Sequence, residues 1–213
     1  MKVVLFDLDG TLLDTTEGVL ESAIYAAKKL GYKELPYEQM LSFVGPPIQT
    51  SFINHYGCSA ERAQEAANIF RTYYKENALF KAKLYPGMIE VLEKMKEKGV
   101  KMGVATYKRE DYAISILEHF GIAPFCISMH GADHFNKLTK ADIVNLCINE
   151  MTSNREDVIL VGDTEHDAIG AKNAMVEFLG VTYGFGFKSV ADVSVYPNIG
   201  CAHSTFDILK FVD

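Results

Sequence analysis

The chain is short of cysteine, of positive charge and of long apolar runs, and each shortage removes a class of protein. Its four cysteines, Cys58, Cys126, Cys147 and Cys201, lie far apart and form no C-x-x-C pair. That argues against a disulfide framework and predicts free, mostly buried thiols in a reducing cytosol. Lysine and arginine number 21 against 28 aspartates and glutamates, a formal net charge of −7. With no basic stripe to neutralise a phosphate backbone, nucleic acid is not expected as a partner. A small anionic substrate is compatible, because it needs only a few local cations or a metal. The apolar run near the amino terminus covers four residues, Val3 to Phe6, before Asp7 interrupts it, and no stretch approaches the length of a membrane span. A soluble, cytoplasmic protein with no membrane partner is expected.

What remains is an ordinary globular composition over 213 residues, with 48% hydrophobic and 23% charged residues. This is enough for one large domain or a domain with a small insertion. No internal repeat or low-complexity segment is present. The β-branched and aromatic run Val3-Val4-Leu5-Phe6 predicts a strand buried on both faces, and Gly10-Thr11 allows a turn after it. Asp14 to Glu17 has the form of a capping box, with Asp14 as N-cap and Glu17 at N3. A helix follows, carrying Val19, Leu20, Ala23, Ile24, Ala27 and Leu30 at helical spacing and stopped by Gly31. Helical patterns recur at Tyr37 to Phe43, Ile48 to Tyr56 and Ala60 to Asn77.

From Tyr85-Pro86-Gly87 the pattern becomes alternation. Helices over Met88 to Lys98, Arg109 to Phe120, Lys140 to Met151 and Asp167 to Met175 precede strands over Lys101 to Ala105, Phe125 to Met129, Asp157 to Val161 and Glu177 to Val181. Helices alternating with buried strands predict an α/β fold, a doubly wound, Rossmann-like parallel sheet that includes the opening strand. The expected organisation is therefore a core of residues 1–13 and 84–213, interrupted after its first strand by an α-helical domain of residues 14–83.

The residues with chemistry gather at the carboxyl ends of the predicted strands, where an open α/β sheet keeps its ligand crevice. Asp7-Leu8-Asp9 ends the first strand, and Ala105-Thr106-Tyr107-Lys108 ends the strand that begins at Lys101. Gly162-Asp163-Thr164-Glu165-His166-Asp167 ends a third. Lys140 opens the helix between the last two. Such a set is chemically complete. One carboxylate can attack phosphorus, and a second can protonate the leaving oxygen and later deprotonate water. Clustered carboxylates call for a hard cation with oxygen ligands, and a lysine and a hydroxyl can hold phosphoryl charge.

Asp7-Leu8-Asp9-Gly10-Thr11, Thr106, Lys140 and Gly162-Asp163 through Asp167 together resemble the four motifs of the haloacid dehalogenase superfamily, subfamily IA, over the whole chain. The resemblance implies a phosphoric monoester hydrolase with Asp7 as nucleophile and Asp9 as general acid/base. It implies Mg²⁺ at Asp7, Asp9 (through its backbone carbonyl) and Asp163, with Asp167 ordering Lys140 or a metal-bound water. Thr106 and Lys140 would hold the phosphoryl oxygens. Residues 14–83 would be the family's cap. Lys137 competes with Lys140 for its role. Lys108 is a candidate substrate ligand, although a lysine at a helix start is more often solvated. His166 is a weak candidate for ligation because Mg²⁺ favours oxygen, Glu165 either approaches the metal's outer shell or faces solvent, and Tyr73-Tyr74 reads as helix packing.

Branches of the superfamily separate on a few positions. Asp9 favours phosphoryl transfer over dehalogenation. Val19 and Leu20 stand where phosphosugar mutases carry a histidine, which makes a mutase less expected. Phe43-Val44-Gly45-Pro46-Pro47-Ile48 and Gly180 to Gly186 are similar to phosphoglycolate phosphatase-like enzymes and to bacterial 5′-nucleotidases. Gln49 replaces the arginine common in the former, which weakens the case for a carboxylate-bearing substrate. The expectation is a phosphoglycolate phosphatase-like enzyme acting on a small phosphorylated metabolite, with Gly45, Gln49 and Lys108 reading the substrate. A 5′-nucleotidase is the alternative. A non-catalytic module on the same fold is disfavoured, because every motif residue is kept.

Overall fold

The structure is a computed structural model that describes residues 2–133, 137–151 and 154–212. Its described strands are β1 (Val3–Phe6), β2 (Leu13–Asp14), β3 (Lys83–Leu84), β4 (Lys101–Arg109), β5 (Cys126–Ala132), β6 (Val158–Gly162), β7 (Glu177–Val181) and β8 (Gly200–Ala202). Its α-helices are α1 (Thr16–Lys29), α2 (Tyr37–Leu41), α3 (Ile48–Tyr56), α4 (Ala60–Tyr73), α5 (Met88–Glu97), α6 (Glu110–His119), α7 (Lys140–Met151), α8 (Glu165–Ala174) and α9 (Val190–Val193). The chain divides into two compact units, Met1–Asp14 with Leu84–Asp213, and Thr15–Lys83. None of the described helices is long and apolar enough to cross a membrane.

The first unit is a doubly wound α/β fold. Its six-stranded sheet runs β5-β4-β1-β6-β7-β8, and each described pairing is parallel. Every residue of β1 and of β6 is buried, as expected for central strands covered on both faces. Phe6 stands level with Val104 of β4 and Val161 of β6. The positions just beyond those three, on adjacent strands, are therefore brought to one edge of the sheet. The strand order also reverses direction at β1, which makes this edge the topological switch point. Below it, Ile143, Val144, Cys147 and Ile148 of α7 pack with Leu5, Leu160 and Phe178 in the core.

The second unit is helical, α1 to α4, with α4 running on into a π-helical turn, Tyr74–Ala78. Tyr73 stacks on Tyr25 at 4.2 Å and donates its hydroxyl proton to Glu21 at 2.7 Å, while Tyr74 is buried. This pair packs helices.

Four expectations need correction. The N-cap of α1 is Thr15, with no side-chain cap bond, and not Asp14. Asp14 belongs to the two-stranded sheet β2-β3, so the capping box cannot form where the sequence suggests it. Strand β4 continues four residues past Ala105, through a register shift against β5 between Ala105 and Arg109. Strand β8 extends the sheet by three residues, too few and too glycine-rich to give a periodic signal. Of the cysteines only Cys147 is buried. Cys126 and Cys201 open onto the edge strands β5 and β8, and Cys58 lies between α3 and α4.

Candidate active site

Asp7 follows β1 directly, and its amide donates to the Val161 carbonyl at 2.9 Å, which carries the strand ladder one step beyond β1. Asp163 follows β6, Thr106 lies inside β4, and Lys140 is the first residue of α7. All four side chains are buried. Asp7, Asp163 and Asp167 each offer a carboxylate oxygen within 4.8 Å of the others.

Lys140 ties the cluster together. Its ammonium is 2.7 Å from Asp7 Oδ1 and 2.6 Å from Asp167 Oδ1, with 2% of the side chain exposed. Its backbone amide donates to the Tyr107 hydroxyl at 2.9 Å. Burial works against the ammonium, yet Asp167 and Asp7 beside it hold its pKa above the ordinary lysine value. The second oxygen of Asp167 accepts from the Thr164 amide at 3.1 Å and hydroxyl at 2.7 Å, which fixes that carboxylate at the start of α8. Asp7 is pushed up to about 6, by burial above all and by Asp167 and Asp9, against the pull of Lys140.

Asp163 is the least compensated of the acids. Its Oδ2 accepts from the amides of Phe185 at 2.6 Å and Gly186 at 3.0 Å. Its Oδ1 is buried with no hydrogen-bond partner. Burial, then Asp167 and Asp7, push its carboxyl up to about 8 despite those two amides. An unpartnered buried carboxylate oxygen on one member of a three-carboxylate cluster is a costly arrangement without a cation. The donor set is all oxygen, and it fits a hard divalent ion. Two glycines make room for the Asp163 carboxylate. Gly10 has φ +82°, and a β-carbon there or at Gly184 would overlap the Asp163 carboxylate.

Asp9 is held differently. Both of its carboxylate oxygens lie 2.9 Å from the ammonium of Lys108, and the lysine side chain is only 8% exposed. The expectation of a solvated lysine at a helix start is thus corrected. Lys108 belongs to the irregular stretch of β4, where the register against β5 shifts between Ala105 and Arg109. Its amide also donates to Thr106 Oγ1 at 3.2 Å.

The structure therefore brings Asp7, Asp9, Thr106, Lys108, Lys140, Asp163 and Asp167 to the ends of neighbouring elements. Lys137 is exposed, and its amide donates to Asp133 at 2.6 Å; Lys140 is the lysine that reaches Asp7. His166 packs edge-on against Tyr107 at 5.6 Å, and Glu165 accepts from the Tyr196 hydroxyl at 3.0 Å. Gly45 is exposed in the helical unit with φ +103°. Gln49, the second residue of α3, donates to Gln64 at 3.2 Å, and its own Oε1 is buried without a partner. Sequence reasoning missed the amides of Phe185 and Gly186. Their only signal was the glycine-rich run from Gly180 to Gly186.

The model of the family described as haloacid dehalogenase-like hydrolase matches residues 4–181. The chain is 33% identical over 184 residues to a 5′-nucleotidase of Pseudomonas aeruginosa, spanning 86% of this chain and 83% of the relative. It is 29% identical over 194 residues to a phosphoglycolate phosphatase of Vibrio parahaemolyticus, spanning 87% and 85%. A crystal structure of a predicted phosphatase from Clostridium acetobutylicum superposes with a TM-score of 0.91 at 33% identity, over 99% of this chain and 97% of that one.

Proposed function

The chain belongs to the haloacid dehalogenase-like hydrolases and is a phosphoric monoester hydrolase, and from that premise we propose that it works through a phosphorylated Asp7 and requires Mg²⁺. The observation that carries the reading is the pairing of Asp7 with the buried Lys140 beside the unpartnered oxygen of Asp163. Asp7 Oδ attacks phosphorus, and the bond from phosphorus to the ester oxygen breaks. Asp9 gives that oxygen its proton. Water then attacks the phosphorus of the acyl phosphate and gives a proton to Asp9, which frees inorganic phosphate and restores Asp7. Thr106 and Lys140 orient the phosphoryl oxygens, and Lys140 offsets their charge. Asp167 keeps Lys140 aimed at the site. Asp7, the Asp9 carbonyl and Asp163 would hold Mg²⁺, with Asp167 beside them. When bound, the ion neutralises the carboxylates and draws charge off the phosphoryl group.

The motif residues all serve phosphorus or metal, so the leaving group is read elsewhere. The reading assigns that task to the helical unit, as a cap that excludes water, and there to Gln49 with the Gly45 turn. The unpartnered Oε1 of Gln49 is an acceptor. A hydroxyl or amino group can satisfy it and a carboxylate cannot. That favours a sugar or nucleoside phosphate over phosphoglycolate. The test is hydrolysis of p-nitrophenyl phosphate, nucleoside 5′-monophosphates and phosphoglycolate, each with Mg²⁺ and with excess chelator. Mg²⁺-dependent turnover with preference for the nucleotides is expected. Full activity in chelator overturns the metal reading, and preference for phosphoglycolate overturns the substrate reading.

A further inference from the structure

As a substrate ligand, Lys108 would be expected to wait with its charge unclaimed. Instead its ammonium is shared between both oxygens of Asp9, at 2.9 Å each, in a setting where the two side chains are 8% and 15% exposed. The contact is built by the backbone. The register shift between Ala105 and Arg109 displaces β4 from regular alternation, and the Lys108 amide closes onto Thr106 Oγ1. Moving Lys108 away to meet a substrate would strip a largely buried carboxylate of a charged partner, which is costly. A forked contact on both oxygens also fixes the plane of a side chain that otherwise rotates.

We infer that Lys108 is a positioning residue for Asp9, holding its carboxylate ready to take the proton of the water that attacks phosphorylated Asp7. The inference rests on the reading of Asp9 as acid/base given above. It places Lys108 in the second half of the reaction, the breakdown of the acyl phosphate. In that step the phosphorus–Asp7 bond breaks, the water oxygen bonds to phosphorus, and the water proton passes to an Asp9 oxygen. One oxygen of Asp9 can accept that proton while the other stays on Lys108.

The half-reactions separate with p-nitrophenyl phosphate, whose activated leaving group departs without protonation. Lys108→Met, with Mg²⁺ present, should form the phosphoenzyme at the normal rate and break it down slowly. The expected result is a fall in kcat of about 10- to 100-fold with KM falling alongside it. The ratio kcat/KM then stays near the wild-type value. A rapid-mixing trace should show a burst of nitrophenolate approaching one per chain, larger than any wild-type burst. Lys108→Arg keeps a charged fork, so it should restore most of the turnover and reduce the burst.

A raised KM at unchanged kcat in Lys108→Met would make Lys108 a substrate ligand and overturn the inference. Loss of kcat/KM with no burst in a variant that melts normally would also overturn it. If Lys108→Met does not fold, Lys108→Arg decides, through near-normal turnover against a raised KM. A wild-type chain that is inert toward the ester would remove the reading of the site and this inference with it. An active wild type with an unchanged Met variant removes the inference alone.

Discussion

Replacing Asp163 by asparagine removes one charge from the most crowded part of the site while keeping its shape. The carbonyl of the new side-chain amide can accept from the Phe185 and Gly186 amides that now bond Asp163 Oδ2. Its NH₂ would occupy the place of the unpartnered Oδ1, in a carboxylate cluster that includes Asp7 and Asp167. The wild-type carboxyl stands near 8 instead of 3.8. Between those values the folded chain keeps a proton that the unfolded chain has released. A raised folded value means that stability is fully present below 3.8 and is lost as pH climbs toward 8. Each pH unit of retention costs the folded state about 1.4 kcal/mol. At pH 8 the metal-free protein therefore carries a cost on the order of 5 kcal/mol from this one group, and at pH 5 only a minor part of it.

Asp163→Asn should accordingly stabilise the metal-free protein, with a gain that grows with pH. Melting in excess chelator at pH 5 and pH 8 checks it. At about 2–4 °C per kcal/mol for a chain of this size, the variant should melt about 10 °C above wild type at pH 8 and much closer to it at pH 5. Its phosphatase activity should be lost. A difference between the two proteins that is flat in pH, or a less stable variant at pH 8, would refute the reasoning, because the carboxyl would then not be the source of the cost.

The site was legible in sequence wherever a motif residue ends a strand that periodicity reveals. Val3 to Phe6 is short, apolar and β-branched, so the edge position of Asp7 follows from local pattern alone. Lys140 was placed because Lys140-Ala141-Asp142-Ile143 starts a helix, as the lysine of the resembled family does, and α7 begins there. The partner of Asp9 was not legible. Lys108 lies 99 residues away in sequence, in a strand that outruns its own apolar pattern because pairing with β5 extends it. Tertiary pairing overrides local signal in such places. Asp14 was misread for the same reason, since its pairing in the β2-β3 sheet shifts the helix start by a residue. Nor does sequence distinguish a glycine that merely turns from one that makes room. Gly10 and Gly184 border Asp163, and only the fold brings the loop after β7 against the turn after β1.

Three further substitutions probe the site from different sides. Asp7→Asn should melt like a folded protein in chelator yet lose at least about 100-fold in turnover, since an amide is a poor nucleophile; steady-state assays of a clean preparation check this, and substantial residual activity counts against the assignment. Gln49→Ala should change the relative kcat/KM among phosphate esters while sparing p-nitrophenyl phosphate, and an unchanged profile across esters would place specificity elsewhere. Gly184→Ala tests the cradle of Asp163 through its backbone. An added β-carbon would overlap the Gly10 carbonyl oxygen and the Asp163 carboxylate, and neither can yield far, because the first is main chain and the second is held by two amides. The loop must therefore shift, costing about 1–3 kcal/mol and turning Asp163 away from Asp7. The measurable consequence is a lower melting temperature together with a higher Mg²⁺ concentration for half-maximal turnover. If melting falls while the Mg²⁺ requirement stays at the wild-type value, the loop supports the fold without setting the direction of Asp163.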